Sequence, residues 1–573
     1  MIKSFLMRTI FTLLLGITIL PGATIWLDGR LSDWENIPVA ASDHTGDGLP
    51  GVDFLSVSQA CDSARLYFKL MFTEPLLLQD YNDLALYLDT DTNATTGLMI
   101  GDLGAELVWH FGTRTGQQYL TDPPEDIIQS DIGLITPPTI TSDQFEIALN
   151  RSTVFGGEPL FPQQVFRYRF VDDRTSGDAI PNASAGIPGS FANDTAVVWN
   201  PILLDHFMEE TVRLMTQNTL YDGIFDSLRG PAHARILQAL APEIIAFQEV
   251  YGYSSEQIRL KTTEVLGGTW YASGIDGDVA TLSRYPILGS WQIWGPGRIT
   301  ADLIDVDSEN WPQLLVINSH WACCSYDATR QNQVDATIAW IREAVEAGII
   351  PEMTSIIVTG DLNLVGDAQQ LTTLLTGDIQ DEATYGADFS PDWGADLINL
   401  YSPHTNDRVS YTWRSDVESF SPGKLDYIVY SNTLIVWKSF ILDTQSMTAT
   451  DLAAYGLESD DSYIASDHLA HVADISPDYG FGVRDNLKPR GYDLIQTYPN
   501  PFNPTLSIRV NLPMNQSGQI IIFDVSGRQI KELPVSGEQT LSWDASEFSS
   551  GIYLIRLLVG NQVLGFEKVV MVK

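Results

Sequence analysis

The chain is 573 residues long, which exceeds what one hydrophobic core supports when domains run to roughly 150 residues. Its 44% hydrophobic and 18% charged content excludes a disordered or low-complexity protein. A formal net charge of −41 argues against broad electrostatic capture of nucleic acid, which draws on Lys and Arg.

At the start, Lys3 and Arg8 precede an apolar run from Ile10 to Leu20 and then Pro21-Gly22-Ala23. This order predicts a secretory signal over residues 1–23. The run is shorter than the roughly 20 residues a spanning helix needs, and no later stretch is long and apolar enough. The expectation is a chain that is secreted or held at the cell surface, with no integral membrane segment after signal cleavage. Cys61 stands alone, while Cys323 and Cys324 are adjacent. Three cysteines make no disulfide framework and have no zinc-ligand spacing; the adjacent pair is open to a vicinal disulfide or to two free thiols.

Residues 24–178 alternate short apolar runs with turn residues, as in Leu66-Tyr67-Phe68-Lys69-Leu70-Met71-Phe72 and Leu84-Ala85-Leu86-Tyr87-Leu88. That pattern predicts a β-sandwich. The opening Leu27-Asp28-Gly29-Arg30-Leu31-Ser32-Asp33-Trp34 and the later Phe145-Glu146-Ile147-Ala148-Leu149 resemble carbohydrate-binding family 9-like or DOMON-like sandwiches. The resemblance implies a glycan partner, on which Trp34 and Trp109 would stack unless they are core residues. Asp89-Thr90-Asp91-Thr92-Asn93, followed by Gly97, sets three oxygen side chains on alternate positions, as Ca²⁺ needs. It lacks EF-hand spacing and the terminal Glu, so an ordinary Asx-rich turn is the competing reading.

A Pro-, Gly-, Ser- and Asn-rich stretch predicts a connector over 179–210, and a second is predicted over 476–492. Between them, over 211–475, apolar strands alternate with helical segments, and polar residues recur where strands end: Asn218, Gln248-Glu249, His320 and Gly360-Asp361-Leu362-Asn363. At such a rim, rigid strands hold side chains while loops stay open to substrate. A lone Asp or Asn after a strand is usually a turn former or cap. Here Asn218, Gln248-Glu249, Ser283-Arg284-Tyr285-Pro286-Ile287, His320, Gly360-Asp361-Leu362-Asn363, Leu425-Asp426-Tyr427-Ile428 and Ser466-Asp467-His468 follow one another in order. The ordered set resembles the signature of the endonuclease/exonuclease/phosphatase, or DNase I-like, superfamily.

The resemblance implies an α/β four-layer sandwich, two β-sheets flanked by helices, lying between two all-β sandwich domains. It also implies a metal-dependent phosphodiesterase. Hydrolysis of a phosphodiester needs an activated water, neutralised phosphoryl charge and a stabilised leaving group. By this likeness Glu249, Asn218 and Asp467 attend Mg²⁺ or Mn²⁺. His468 is the base and Asp426 orients it; His320 donates to a phosphoryl oxygen, with Asp278 behind it. Asp361 and Asn363 bind the water or phosphate. Arg284 and Lys424 are placed either to contact phosphate or to snorkel at the surface. The substrate class is open among nucleic acid, a lipid head group and a small phosphoester. The alternative is a surface glycan-binding protein whose central domain is catalytically silent.

From residue 493 to 573, Tyr498-Pro499-Asn500-Pro501-Phe502-Asn503-Pro504 leads into alternating strands and closes on Ser550-Gly551-Ile552-Tyr553-Leu554-Ile555-Arg556-Leu557. Alternation predicts an immunoglobulin-like sandwich. The motifs resemble the C-terminal sorting domain of type IX secretion, which implies that machinery as a partner.

Overall fold

The structure, a computed structural model, describes residues 25–191, 201–208, 211–306, 313–351, 353–477, 495–512, 517–524, 529–546, 548–559 and 562–572. The expected signal over 1–23 and the second connector beyond Pro477 lie outside the described residues. Two compact units form: Met1–Pro137 with Ser142–Val198 and Asp416–Ser421, and Pro138–Thr141 with Trp199–Ser415 and Pro422–Lys573.

The first unit is all β. Its smaller sheet has the order Val39–Ser42, Phe54–Cys61, Arg65–Leu76, Ser142–Asn150. The larger is built around Val165–Asp172, Leu84–Asp89, Leu107–His110 and Thr115–Gln118. Alternation decides which face is buried. Leu66, Phe68, Leu70 and Phe72 of one sheet join Leu86, Leu88, Tyr168 and Phe170 of the other in one apolar core. Trp109 lies in that core, and Trp34 is 1% exposed, its indole Nε1 donating to Glu146 Oε1 at 2.8 Å. Both rings are core residues, the alternative that the sequence left open for them, and neither is available to stack on a sugar. The sheet also runs on into the stretch expected to be a connector. Ala179–Ile180 and Ile187–Ser190 both pair with Val165–Asp172.

In the second unit, residues 211–477 form two six-stranded sheets. One has the order Tyr271–Ala272, Ala280–Ser283, Ile244–Gln248, Val212–Asn218, His471–Pro477, Leu434–Ile441. The other runs Ile287–Trp294, Ile299–Ile304, Leu314–His320, Ser355–Asp361, Asp426–Tyr430, Ile398–Asn399. Their facing surfaces share Val212, Leu214, Ile304, Val316, Ile357, Ile428 and Ile475. Outside the first sheet pack Gly230–Leu240 and Ser255–Leu266, through Ile236, Leu237 and Ile258. Outside the second pack Asp327–Glu346 and Gln369–Thr376, through Val334, Ile338, Ile341 and Leu374. Helix, sheet, sheet, helix is the four-layer arrangement expected. Strands covered on both faces read as unbroken apolar runs, and Leu314–His320 and Ser355–Asp361 are buried throughout.

A buried ion pair ties the centre of the first sheet. Arg213 Nε donates to Asp474 Oδ1 at 2.6 Å across the pair of strands they occupy, and its remaining donors reach Asp474 Oδ2 and the carbonyls of Leu204, Asp205 and Leu240. At the C-terminus, strands Ile495–Tyr498, Thr505–Asn511 and Glu538–Asp544 face the sheet Gln529–Ser536, Ser517–Asp524, Gly551–Val559, Gln562–Met571. Trp543, Ile520 and Ile555 lie in the core between them.

Candidate active site

Register builds the centre of the site. Leu314–His320 and Ser355–Asp361 run parallel with His320 opposite Asp361, and Asp426–Tyr430 runs antiparallel with Asp426 opposite Asp361. Three motif residues, distant in sequence, thus stand side by side. On the other sheet Val212–Asn218 and Ile244–Gln248 run parallel with Asn218 opposite Gln248, so Glu249 emerges beside Asn218.

Asp361 is the hub. Its Oδ2 accepts from Asn218 Nδ2 at 3.1 Å and lies 3.6 Å from His320 Nε2 and 3.8 Å from His468 Nε2. Each histidine is held from behind by a carboxylate. His468 Nδ1 meets Asp426 Oδ2 at 2.8 Å, and His320 Nδ1 meets Asp278 Oδ1 at 2.9 Å. Fixing Nδ1 in this way aims Nε2 of both rings at the same aspartate. Burial raises the carboxyl of Asp361 above the usual range, against the pull of the two imidazoles. Burial alone would lower His468, but the carboxylates of Asp426 and Asp361 outweigh it and lift the ring to about 10.

Asn218 joins the two sheets' contributions. The same Nδ2 donates to Glu249 Oε1 at 3.1 Å, and its Oδ1 accepts from Leu220 N at 3.0 Å. Through its amide nitrogen Asn218 sets the two carboxylates in place. Glu249 Oε2 accepts from Tyr221 N at 2.9 Å. Asp467 Oδ2 is held by Trp413 Nε1 at 2.9 Å, while its Oδ1 is buried without a partner. Asn363 N donates to Asp361 Oδ1, and Asn363 Nδ2 reaches the carbonyl of Trp321.

The backbone at the cleft is strained, as functional sites often are. Leu220, Tyr221, Asp222, Glu249 and Asn363 all have positive φ, between 48° and 58°. Gly360 has φ 127°, and a Cβ there would come within 2.0 Å of the Ser319 carbonyl oxygen. Only glycine lets the Ser355–Asp361 strand approach its neighbour closely enough to set Asp361 beside His320.

The structure does not bring Arg284 or Lys424 to these groups. Ser283 pairs with Ile244, at the end of the sheet opposite Glu249. The Arg284 guanidinium there donates to the carbonyls of Gly267 and Leu266 and lies over the Trp270 ring. Lys424 Nζ donates to Asn399 Oδ1 and the Leu400 carbonyl and sits against the rings of Tyr401 and Tyr427. Both cations donate to carbonyls of the scaffold.

Four residues at the site were not singled out from sequence. Arg298 pairs with Asp278 at 2.9 Å and donates to the His320 and Trp321 carbonyls. Trp413 orients Asp467. Tyr221 and Tyr251, 67% and 50% exposed with ring centroids 6.4 Å apart, flank Glu249. The available signal was proximity, since Tyr221 lies three residues after Asn218 and Tyr251 two after Glu249. Cys323 and Cys324 are both free and exposed.

Residues 215–468 match the Endonuclease/Exonuclease/phosphatase family, and residues 496–572 match the secretion system C-terminal sorting domain. No curated protein matches the chain. Similar solved structures include an endonuclease/exonuclease/phosphatase from Beutenbergia cavernae, 14% identical over 63% of this chain and 99% of that one, with TM-score 0.28. The human Nocturnin catalytic domain with bound sulfate anion is 17% identical over 47% of this chain and 96% of its own, with TM-score 0.29. Staphylococcus aureus beta toxin is 16% identical over 46% and 99%, with TM-score 0.27.

Proposed function

From the premise that residues 215–468 form an endonuclease/exonuclease/phosphatase domain and residues 496–572 a secretion sorting domain, we propose that this protein is an exported, divalent-metal-dependent phosphodiesterase. One observation carries the reading. Two histidines, each backed by its own carboxylate, converge on Asp361, which also shares the Asn218 amide with Glu249.

The donor set suits a hard cation, since Glu249 and Asp467 offer carboxylate oxygens and Asp467 Oδ1 is buried with no partner. These two residues would hold Mg²⁺ or Mn²⁺, with Asn218 positioning Glu249. When bound, the ion supplies Lewis-acid polarisation of a phosphoryl oxygen. With Asp361 holding the proton that burial favours, one of the two carboxylates that raise His468 is neutral; His468, oriented through Nδ1 by Asp426, then accepts the proton of the attacking water at Nε2, and Asp426 stabilises the imidazolium that results. His320, oriented by Asp278, donates from Nε2 to a phosphoryl oxygen. Asp361, whose carboxyl is disposed by burial to keep a proton, donates to the leaving oxygen, with Asn363 fixing its turn.

Substrate size follows from charge. Arg284 and Lys424 are spent on the scaffold, Arg298 on Asp278, and the whole chain carries −41. A long duplex, which binds through many Lys and Arg contacts, is disfavoured. A lipid head group, a short nucleic acid or another small phosphodiester suits the cleft, with Tyr221 and Tyr251 available at its rim to stack on a ring. The test is a panel of plasmid DNA, RNA oligonucleotides, sphingomyelin and bis-p-nitrophenyl phosphate with Mg²⁺ or Mn²⁺. Cleavage of a small diester is expected; cleavage of none of the four would overturn the reading.

A further inference from the structure

A cluster of carboxylates with the dimensions to hold a metal ion lies in the first unit, far along the chain from the phosphoesterase motifs. Asp89 closes the strand Leu84–Asp89, Asp91 follows in the loop, and Glu106 returns between Leu103–Ala105 and Leu107–His110. One ligand oxygen from each can be chosen so that all three lie within 4.8 Å of one another. Two oxygens that both touch Ca²⁺ at about 2.4 Å are at most about 4.8 Å apart, so the grouping has the dimensions of a shared calcium ion.

Acidic residues gather on many surfaces without an ion, and the deciding observation here is burial. Asp89 is 1% exposed and Glu106 2%, and in each one carboxylate oxygen, Asp89 Oδ1 and Glu106 Oε1, is buried with no hydrogen-bond partner. Such an atom is costly unless a positive charge or a donor meets it. No Lys or Arg among the described residues forms an ion pair with either. The other oxygen of Glu106 is already used: its Oε2 accepts from Thr90 N at 2.8 Å. Asp91 is braced by Thr96 Oγ1 and by Asn93 N.

The loop is shaped to sit flush on the Glu106 segment. A Cβ on Gly97, which has φ 65°, would come within 2.3 Å of the Ala105 carbonyl oxygen, and one on Gly104 within 2.3 Å of the Thr96 carbonyl oxygen. Both glycines therefore let Asp89 and Asp91 close on Glu106. We propose that Asp89, Asp91 and Glu106 bind one calcium ion, which pins this loop and supplies the positive partner that the two orphaned oxygens lack. The alternating Asp-x-Asp spacing hinted at the first two ligands; Glu106, which completes the set, lies between two later strands and is invisible to local sequence.

Calcium sites of extracellular modules work at roughly 10⁻⁴–10⁻³ M, so the test is equilibrium dialysis of the full chain against millimolar ⁴⁵Ca²⁺. Asp91→Asn and Glu106→Gln are each expected to bind one calcium fewer per chain than the unsubstituted protein, with phosphodiester hydrolysis in Mg²⁺ unchanged. Asp91 is only partly buried, which keeps its variant informative if Glu106→Gln folds poorly, and circular dichroism checks both. Equal calcium stoichiometry in the unsubstituted chain and in folded Asp91→Asn would overturn the proposal. Glu249→Gln, which alters the other candidate metal site, is expected to leave this calcium in place, so the two sites fail independently.

Discussion

At the scale of single residues, the proposed activity rests on histidines aimed by carboxylates. His468→Ala should lower kcat by roughly 10²–10⁴-fold, the range for losing a general base, with far-UV circular dichroism unchanged. Asp278→Asn leaves His320 in place but loosens its aim, and a fall in kcat of roughly 10²-fold with little change in KM is expected from steady-state kinetics. Arg284→Ala separates the sequence expectation from the structure. Its guanidinium serves carbonyls and the Trp270 ring, so KM should not move, while chemical denaturation should show a loss of about 1–3 kcal/mol. A large rise in KM would return Arg284 to the phosphate. The motif residues Asn218, Glu249, His320, Asp361, Asp426 and His468, which the structure brings together, were legible through the ordered motifs that resemble one family signature. Arg284 and Lys424 stayed open between phosphate and surface because a cation beside a motif says nothing about the direction of its side chain. Carbonyls at Gly267 and Leu400 decide that, and those become neighbours only in the fold.

Elements explain why these side chains hold their geometry without a disulfide. The hub depends on three strands pairing in one register, and Gly360 is where the Ser355–Asp361 strand comes nearest to its neighbour. Gly360→Ala should cost about 1–3 kcal/mol from the strained φ alone, and more from contact with the Ser319 carbonyl; urea denaturation measures it. Activity should fall too, since the cheapest relief moves Asp361. On the other sheet, Asp474→Ala would leave Arg213 buried and uncompensated, at a cost of about 3–5 kcal/mol. The four-layer class came from the resemblance that the ordered motifs carry, while strand existence was readable from apolar runs and turns. Element ends were less so: the stretch expected to be a connector from 179 begins with two strands, because short edge strands carry little apolar periodicity. The burial of Trp34 and Trp109 was open in the sequence for a related reason. Trp109 lies on an alternating strand and faces core or solvent according to register, which the partner strand sets. Trp34 ends a short 3₁₀ turn, Ser32–Trp34, whose packing is set by residues distant in sequence such as Glu146.

Over the whole molecule, a strongly acidic chain closes on a domain that matches a secretion sorting family, and among the described residues no helix is long and apolar enough to cross a membrane. Deleting residues 495–572 in a host with type IX secretion should leave the protein in the cell fraction on immunoblotting, whereas the full chain should appear outside or at the surface. The acidic balance fits an enzyme that meets small phosphodiesters, its positive charge supplied locally by a cation and two histidines. That is the central claim, and it is most directly tested by the release of p-nitrophenolate from bis-p-nitrophenyl phosphate by the purified full chain. Hydrolysis should require Mg²⁺ or Mn²⁺, stop on chelation, return when the metal is restored, and be all but absent in His468→Ala. Hydrolysis that persists through chelation, or that His468→Ala performs as fast as the unsubstituted chain, would contradict it.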